Sequence, residues 1–270
     1  MPSRGARHRP SDDRARTTER MIRRVHHIGI VVRRLADAYP FYRDTLGLPL
    51  LREAELPDQA VRAALFDAGE SEIELLEPID ARSGVGRFLE RRGGGLHHVC
   101  FDVENVEHAL GDLARRQVAL IDRVPRDGLA GRIGFVHPSA CAGVLVELVT
   151  PPSQPQSADG WLRVKRLVIA AAAPKEAATL FQSLFGLEEL SINGGHRTML
   201  AAGRGALLFV PAREVGGAEG LVALSMIADE FPALTARLDR AGIKFLRGTG
   251  EVTLEPSATF GVHLHISRYE

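Results

Sequence analysis

A pattern that recurs four times along the chain sets the strongest limit on how it can fold. Each copy begins with an apolar strand, continues into an amphipathic helix and ends in further strands, the last of them apolar. A repeat of about fifty residues with one internal order of elements is typical of folds built from copies of a small unit. The opening strands are VHHIGIVV (25–32), LHHVCFDV (96–103), VKRLVIAA (164–171) and LVALSMIA (221–228).

The helices and closing strands complete each copy. The predicted helices are LADAYPFYRDTL, VEHALGDLARRQ, KEAATLFQSLF and FPALTARLDRA, and the predicted closing strands are EIELLEP, VLVELVTP, ALLFVPA and VHLHISR. Gly47, Gly186 and Gly242 follow three of the helices, where glycine commonly ends a helix. Pro40 lies early in the first helix and is expected to distort it. The predicted fold class is therefore α+β, with four tandem βαβββ modules.

The four modules predict two domains, each made of a pair. Residues 1–21 are polar and arginine-rich without an apolar run, and are expected to form a disordered tail. The first pair occupies 22–151 and the second pair 164–270. Between them, 152–163 carries a Pro- and Ser-rich stretch that is typical of a linker.

Composition and charge exclude several kinds of partner. Lys and Arg number 34, as do Asp and Glu, so the basic excess that a nucleic-acid surface requires is missing. No apolar run approaches the roughly 18 residues of a membrane-spanning helix, so no membrane partner is expected. Cys100 and Cys141 form no disulfide framework, and the N-terminal residues lack the apolar centre of a signal peptide. These features predict a cytoplasmic protein.

Two of the opening strands contain a pair of adjacent histidines: His26–His27 and His97–His98. Because neighbouring side chains in a strand point to opposite faces, one histidine of each pair should face inward and the other outward. We assign His27 and His98 as the inward residues. Their faces also carry Gly29 and Cys100, whose small side chains leave space beside a ligand.

Each inward histidine has a glutamate at a matching distance, in the closing strand of its own module. His27 precedes Glu74 by 47 residues and His98 precedes Glu147 by 49. Both glutamates interrupt apolar runs, where a carboxylate is costly unless it is paired or metal-bound. Modules related by a pseudo-twofold axis would bring these four side chains together. Two imidazoles and two carboxylates suit a divalent ion such as Co, Mn, Zn, Ni or Mg.

Taken singly, each of the four residues has a structural alternative. A histidine can be a hydrogen-bonded core residue, and a glutamate can lie on a solvated strand face. The second pair of modules offers no comparable set. At the equivalent positions it is expected to carry Arg166, Leu207, Ala223 and His265. We therefore predict that this pair of modules is a degenerate copy without metal ligands.

Six segments, taken in order, resemble the vicinal oxygen chelate superfamily, and within it the methylmalonyl-CoA epimerases. They are HHIGIVV, FYRDTLGL, IELLEP, GLHHVCFDV, FVHP and GVLVELV. The close match covers about 22–151, whereas 164–268 resembles the superfamily only in outline. The resemblance implies paired βαβββ modules that form cupped mixed sheets around a divalent metal. It places the metal ligands at His27, Glu74, His98 and Glu147.

The same resemblance implies an isomerase, namely an epimerase that removes the C2 proton of methylmalonyl-CoA or a similar acyl thioester. Glu147 matches a family position assigned to metal binding and proton transfer. The chain departs from the family pattern at Ala63, where some relatives carry a second glutamate base. It departs again at Ser139, which follows His137-Pro138 where relatives have a lysine. The expected partners are a small-molecule substrate of the CoA-thioester kind and a second copy in a homodimer.

Three other functions remain open at this level. A sibling within the superfamily, such as a glyoxalase-type isomerase or lyase or an epimerase of secondary metabolism, would use a similar ligand set on another substrate. A non-catalytic ligand-binding protein is the second, although such members of the superfamily generally lack the metal ligands. Extradiol dioxygenases also have four modules, but they keep their metal site in the second half. Metal content and an assay on methylmalonyl-CoA distinguish these functions.

Overall fold

The computed structural model describes residues 21–152, 161–191 and 197–269. All but the last residue of the predicted tail, and most of the predicted linker, lie outside these ranges. Four modules follow one another along the chain. The first two contain β1 (Ile22–Val31), α1 (Leu35–Tyr39), β2 (Leu50–Leu56), β3 (Val61–Ala68), β4 (Ser71–Pro78), α2 (Gly84–Arg92), β5 (Gly95–Val103), α3 (Val106–Arg115), β6 (Arg126–Gly128), β7 (Gly131–Val136) and β8 (Leu145–Thr150).

The last two modules repeat this order without an α-helix at the position of α2. They contain β9 (Leu162–Ala171), α4 (Pro174–Phe185), β10 (Glu188–Leu190), β11 (Thr198–Ala202), β12 (Gly205–Pro211), β13 (Gly220–Ala228), α5 (Phe231–Arg240), β14 (Leu246–Gly248), β15 (Glu251–Leu254) and β16 (His263–Ser267). Strand β9 begins two residues before the predicted strand, because the buried Leu162 already pairs with Ala228.

Each pair of modules forms one eight-stranded mixed sheet, and the two sheets share one topology. The strand orders are β2-β3-β4-β1-β5-β8-β7-β6 and β10-β11-β12-β9-β13-β16-β15-β14. In the first sheet, β1 and β5 run antiparallel at the centre, and each has a parallel outer neighbour, β4 or β8. The predicted class, α+β with paired βαβββ modules in cupped mixed sheets, is confirmed.

The helix ends follow the local sequence. At Pro40 the first helix changes from α-helical to π-helical hydrogen bonding, which continues to Thr45, because proline has no N–H to donate. This confirms the predicted distortion. Gly47, Gly186 and Gly242 all have positive φ, between 67° and 71°, and so end their helices as predicted.

The two sheets share one hydrophobic core. The largest cluster of buried apolar residues includes side chains from all four modules. The rings of Phe101 and Phe185 lie 5.5 Å apart, and the Tyr42 hydroxyl donates to the carbonyl oxygen of Thr259 at 3.1 Å. The second pair of modules therefore covers the back of the first. None of the described helices is long and apolar enough to cross a membrane.

Candidate metal centre

The four residues predicted from sequence lie on the four adjacent central strands of the first sheet. His27 is on β1, Glu74 on β4, His98 on β5 and Glu147 on β8. All four are buried, none being more than 6% exposed. Strand pairing explains the convergence, because Gly29 lies opposite both Glu74 and His98 in neighbouring strands. A slip of one residue in any of these pairings would turn a donor to the other face.

The donor atoms of these side chains meet at one point. Nε2 of His27 lies 3.1 Å from Nε2 of His98. From the His27 nitrogen, Oε2 of Glu74 is 3.5 Å away and Oε2 of Glu147 is 3.6 Å away. From the His98 nitrogen, the same two oxygens lie at 3.5 and 3.2 Å. All four ligand atoms lie within 4.8 Å of one another.

This spacing fits a bound divalent ion. Ligand atoms about 2.1 Å from a common ion stand about 3.0–3.4 Å apart when the angle between them is octahedral or tetrahedral. The distances of 3.1–3.6 Å are close to these values without any change of rotamer. Imidazole nitrogen and carboxylate oxygen are donors that Zn, Co, Ni and Mn accept.

The electrostatics of the cluster favour a cation at its centre. Burial opposes charge on His27, but the carboxylates of Glu74 and Glu147 outweigh it and raise its pKa to about 9. Burial also penalises the Glu147 carboxylate, but His27 and His98 hold its pKa well below the usual range. Burial raises the pKa of Glu74, and the charge of Glu147 adds to the effect. Two carboxylates thus share one buried site.

A large cavity opens over these four residues. Its volume is about 1020 Å³, at the upper end of the range for small-molecule sites, and Glu74, His98 and Glu147 lie in its wall. Four arginines also line it: Arg87, Arg91, Arg92 and Arg126. Three of them come from α2, which bridges the two modules and is capped by the Ser83 side chain. This helix was not predicted from the sequence, although Arg87 and Arg91 are spaced as residues on one face of a helix.

Comparisons with known proteins agree with this architecture. The Glyoxalase/Bleomycin resistance protein/Dioxygenase superfamily model matches residues 26–135. The uncharacterized protein YqjC of Bacillus subtilis is 44% identical over 129 residues, which are 47% of this chain and 92% of YqjC. The Ethylmalonyl-CoA/methylmalonyl-CoA epimerase of Cereibacter sphaeroides is 34% identical over 131 residues, covering 47% of this chain and 98% of that protein. The chain belongs to the glyoxalase/bleomycin resistance protein/dioxygenase superfamily.

Nearly the whole chain also resembles a solved structure in its fold. A mutant of 4-hydroxymandelate synthase from Streptomyces coelicolor superposes with a TM-score of 0.70 and 13% identity. The match covers 91% of this chain and 92% of that one. At this identity the likeness concerns the fold alone, and it spans both sheets.

Gly29 makes the room in which the His98 ring sits. A Cβ added at Gly29 would lie 2.1 Å from Cε1, 2.3 Å from Nδ1 and 2.6 Å from Nε2 of His98. The small side chain of Gly29 was predicted to leave space beside a ligand, but this space is filled by the histidine of the other module. At the pseudo-equivalent position, burial and the negative charge of Glu147 raise the pKa of the Cys100 thiol well above its usual value.

The outer histidines do not turn away from the site as strand alternation predicts. Nδ1 of His26 lies 3.0 Å from Nδ1 of His27, and Nδ1 of His97 lies 3.0 Å from Nδ1 of His98. Burial lowers the pKa of His97 to about 3, so this ring is neutral. His26 also belongs, with His27 and Cys100, to a second group of potential ligands.

The second sheet carries no matching donor set in the residues that the structure describes. Val168 pairs with Leu208 as Gly29 pairs with Glu74, so Leu208 occupies the position predicted for Leu207. The prediction was wrong by one residue because Leu207 points into the main core. The other positions hold Arg166, Ala223 and His265, as predicted. Both groups of potential metal ligands among the described residues contain His27.

Proposed function

We propose that this protein is a metal-dependent epimerase that removes and returns the C2 proton of methylmalonyl-CoA or a similar acyl thioester. The observation that carries the proposal is the convergence of two imidazole nitrogens and two carboxylate oxygens at the wall of a cavity of about 1020 Å³. The substrate class comes from the relative named Ethylmalonyl-CoA/methylmalonyl-CoA epimerase, to which half of this chain is 34% identical.

His27, Glu74, His98 and Glu147 would hold the divalent ion. The distances between their donor atoms and the chemistry of the donor set support this assignment. When bound, such an ion acts as a Lewis acid that polarises a substrate carbonyl and stabilises the negative charge that develops as the proton leaves.

Glu147 is the proposed base. Its carboxylate lies in the cavity wall and stays ionised, since His27 and His98 hold its pKa well below the usual range. In the first half-reaction the C2–H bond breaks and an O–H bond forms on Glu147. Inversion then requires a proton from the opposite side of C2. Ala63, which is buried beside Val61 and Leu76, has no carboxylate, so position 63 does not supply that proton.

The arginines from α2 supply positive charge for a phosphate-bearing substrate. Arg87, Arg91 and Arg92 lie on the cavity wall, and neither Arg91 nor Arg92 has an ion-pair partner within the described residues. The planar guanidinium group binds phosphate in a bidentate manner.

Hydrogen exchange in heavy water tests the proposal. Methylmalonyl-CoA of one configuration, incubated with metal-loaded protein, is expected to gain deuterium at C2 without being consumed. Because a general base contributes about 10²–10⁴-fold, Glu147→Gln should slow the exchange by at least that factor. Glu104→Gln, at an exposed glutamate 88% accessible and outside the cavity, is the matched control and should exchange normally.

The outcomes separate the competing functions. Deuterium gain with inversion supports the epimerase, whereas gain without inversion points to a superfamily member that has lost its second base at the position of Ala63. Full metal occupancy without exchange refutes this substrate and favours a glyoxalase-type or other sibling reaction. A protein that contains no metal after purification, and binds none when metal is added back, refutes the metal centre and favours a non-catalytic binder.

A further inference from the structure

We propose that the first histidine of each doublet, His26 and His97, is a positioning residue. Each accepts a hydrogen bond from Nδ1–H of the histidine that follows it, and thereby fixes the direction in which that residue presents Nε2. The inference rests on the proposed metal centre. It starts from two equal distances, since Nδ1 to Nδ1 is 3.0 Å in both doublets.

The hydrogen atoms of the rings set the direction of these bonds. A neutral imidazole has one N–H, and a ring that binds an ion through Nε2 keeps its proton on Nδ1. In His98 this Nδ1–H needs an acceptor, because the residue is only 2% exposed. The hydrogen-bond partner described for it is Nδ1 of His97. His97 must then carry its own proton on Nε2.

Two β-bulges explain why neighbouring side chains in a strand meet. Between β1 and β5, Val25 pairs with Phe101 and His27 with Cys100, so His26 is an extra residue on β1. Further along, Gly29 pairs with His98 and Ile30 with Leu96, so His97 is an extra residue on β5. A bulge re-aims the side chain of the inserted residue and is frequent beside active sites.

The second sheet has the same two bulges but different side chains in them. Val222 is the extra residue on β13, and Lys165 is the extra residue on β9. These residues precede Ala223 and Arg166, which stand where the first sheet has His98 and His27. The bulges therefore belong to the fold, whereas histidines occupy them only next to the histidines of the metal centre. That histidines fill the bulges only beside the metal-centre histidines indicates a role in the site rather than in the sheet.

The ring of His97 is itself held in place, and that of His26 is buried. Phe88 of α2 packs edge-on against the His97 ring, with centroids 4.8 Å apart and an interplanar angle of 88°. His26 lies 3.6 Å from Oε2 of Glu72, which is too long for a hydrogen bond and leaves its Nδ1 available to His27. A ring clamped in this way transmits its orientation to the next residue.

Three substitutions at His97 in the full-length chain separate the hydrogen bond from ring packing. Asparagine places an acceptor oxygen where the histidine has Nδ1, whereas glutamine places its polar group at the Nε2 position. His97→Gln and His97→Leu are expected to weaken Co²⁺ binding about 10–100-fold, the usual effect of losing such a supporting contact. His97→Asn should recover most of the affinity. Affinity is measured by competition with a chelator, and the visible absorption spectrum of bound Co²⁺ reports its geometry.

His137→Leu is the matched control, because this histidine also lines the cavity but bonds Ser139 instead of a metal-centre residue. Thermal melting of the metal-free proteins shows whether each variant is folded. If a His97 variant does not fold, the same three substitutions at His26 provide the test. Unchanged Co²⁺ affinity and spectrum in the folded Gln and Leu variants would overturn the positioning role alone. Failure of the unsubstituted chain to bind Co²⁺ would overturn the metal centre and this role with it.

Discussion

The substitution Gly29→Ala tests the proposed centre without touching a donor. The added methyl group would lie 2.1 Å from Cε1 of His98, whereas carbon atoms in contact stand about 3.5 Å apart. The ring would have to move by roughly 1.4 Å. The backbone of Gly29 cannot yield easily, because β1 is paired on both sides at this residue. Its φ is not positive, so alanine introduces no backbone strain.

The expected loss follows from this displacement. A binding site tolerates shifts of about 0.5 Å in its donors, so a shift of roughly 1.4 Å removes Nε2 of His98 from the cluster. Co²⁺ affinity should fall by at least about 10–100-fold, and catalysis of C2 exchange should fall with it. Overpacking should also lower the free energy of unfolding by about 1–3 kcal/mol.

Chelator competition and thermal melting together measure both effects. Gly111→Ala is the control, since an alanine at this position in α3 meets only the end of the Arg115 side chain at 3.6 Å. It should bind metal normally and gain up to about 1 kcal/mol of stability from helix propensity. A folded Gly29→Ala protein with unchanged Co²⁺ affinity and spectrum would show that His98 is not held in the position described.

Three further predictions concern the remaining parts of the molecule. Glu74→Ala should lose metal, whereas Glu74→Gln should retain more of it because the glutamine amide oxygen can still coordinate. Equal metal retention by both variants, measured by metal analysis, would exclude Glu74 as a ligand. Arg91→Glu should raise KM for the CoA thioester and make KM less dependent on salt concentration, whereas Arg115→Glu, outside the cavity, should change neither. Equal effects of the two substitutions on KM would refute a role of Arg91 in substrate binding. The full chain should bind one divalent ion, and His265→Ala should leave this stoichiometry unchanged; a second equivalent that disappears in this variant would place a site in the second sheet.

The sequence predicts the architecture well because each module shows its elements locally. Alternating or continuous apolar runs indicate the strands, and a glycine after three of the helices marks their ends. The ligand set could also be predicted, since His27 and His98 precede their glutamates by nearly equal numbers of residues. That inference used only the order of the residues and the pseudo-twofold relation of the modules. Whether an ion binds there stays a prediction.

What the sequence missed depends on contacts between strands. A bulge exists only relative to a partner strand, so nothing in VHHIGIVV alone shows that His26 is the inserted residue. The same applies to the error at Leu207, where the pairing of β12 with β9 decides which leucine faces the concave side. Helix α2 was missed for another reason, because it lies between two repeats and belongs to neither.

The second sheet keeps its shape without the donors, and the packing of the two sheets gives a physical reason. Gly95 and Gly261 approach so closely that a Cβ on Gly95 would lie 2.5 Å from the carbonyl oxygen of Gly261. Gly95 begins β5, only three residues before His98, so this contact and the Phe101–Phe185 contact anchor the strand that carries one half of the proposed centre. The second sheet therefore supports the apolar back of the first. Arg166 and Ala223, which stand where the first sheet has its two histidines, take part in neither of these contacts.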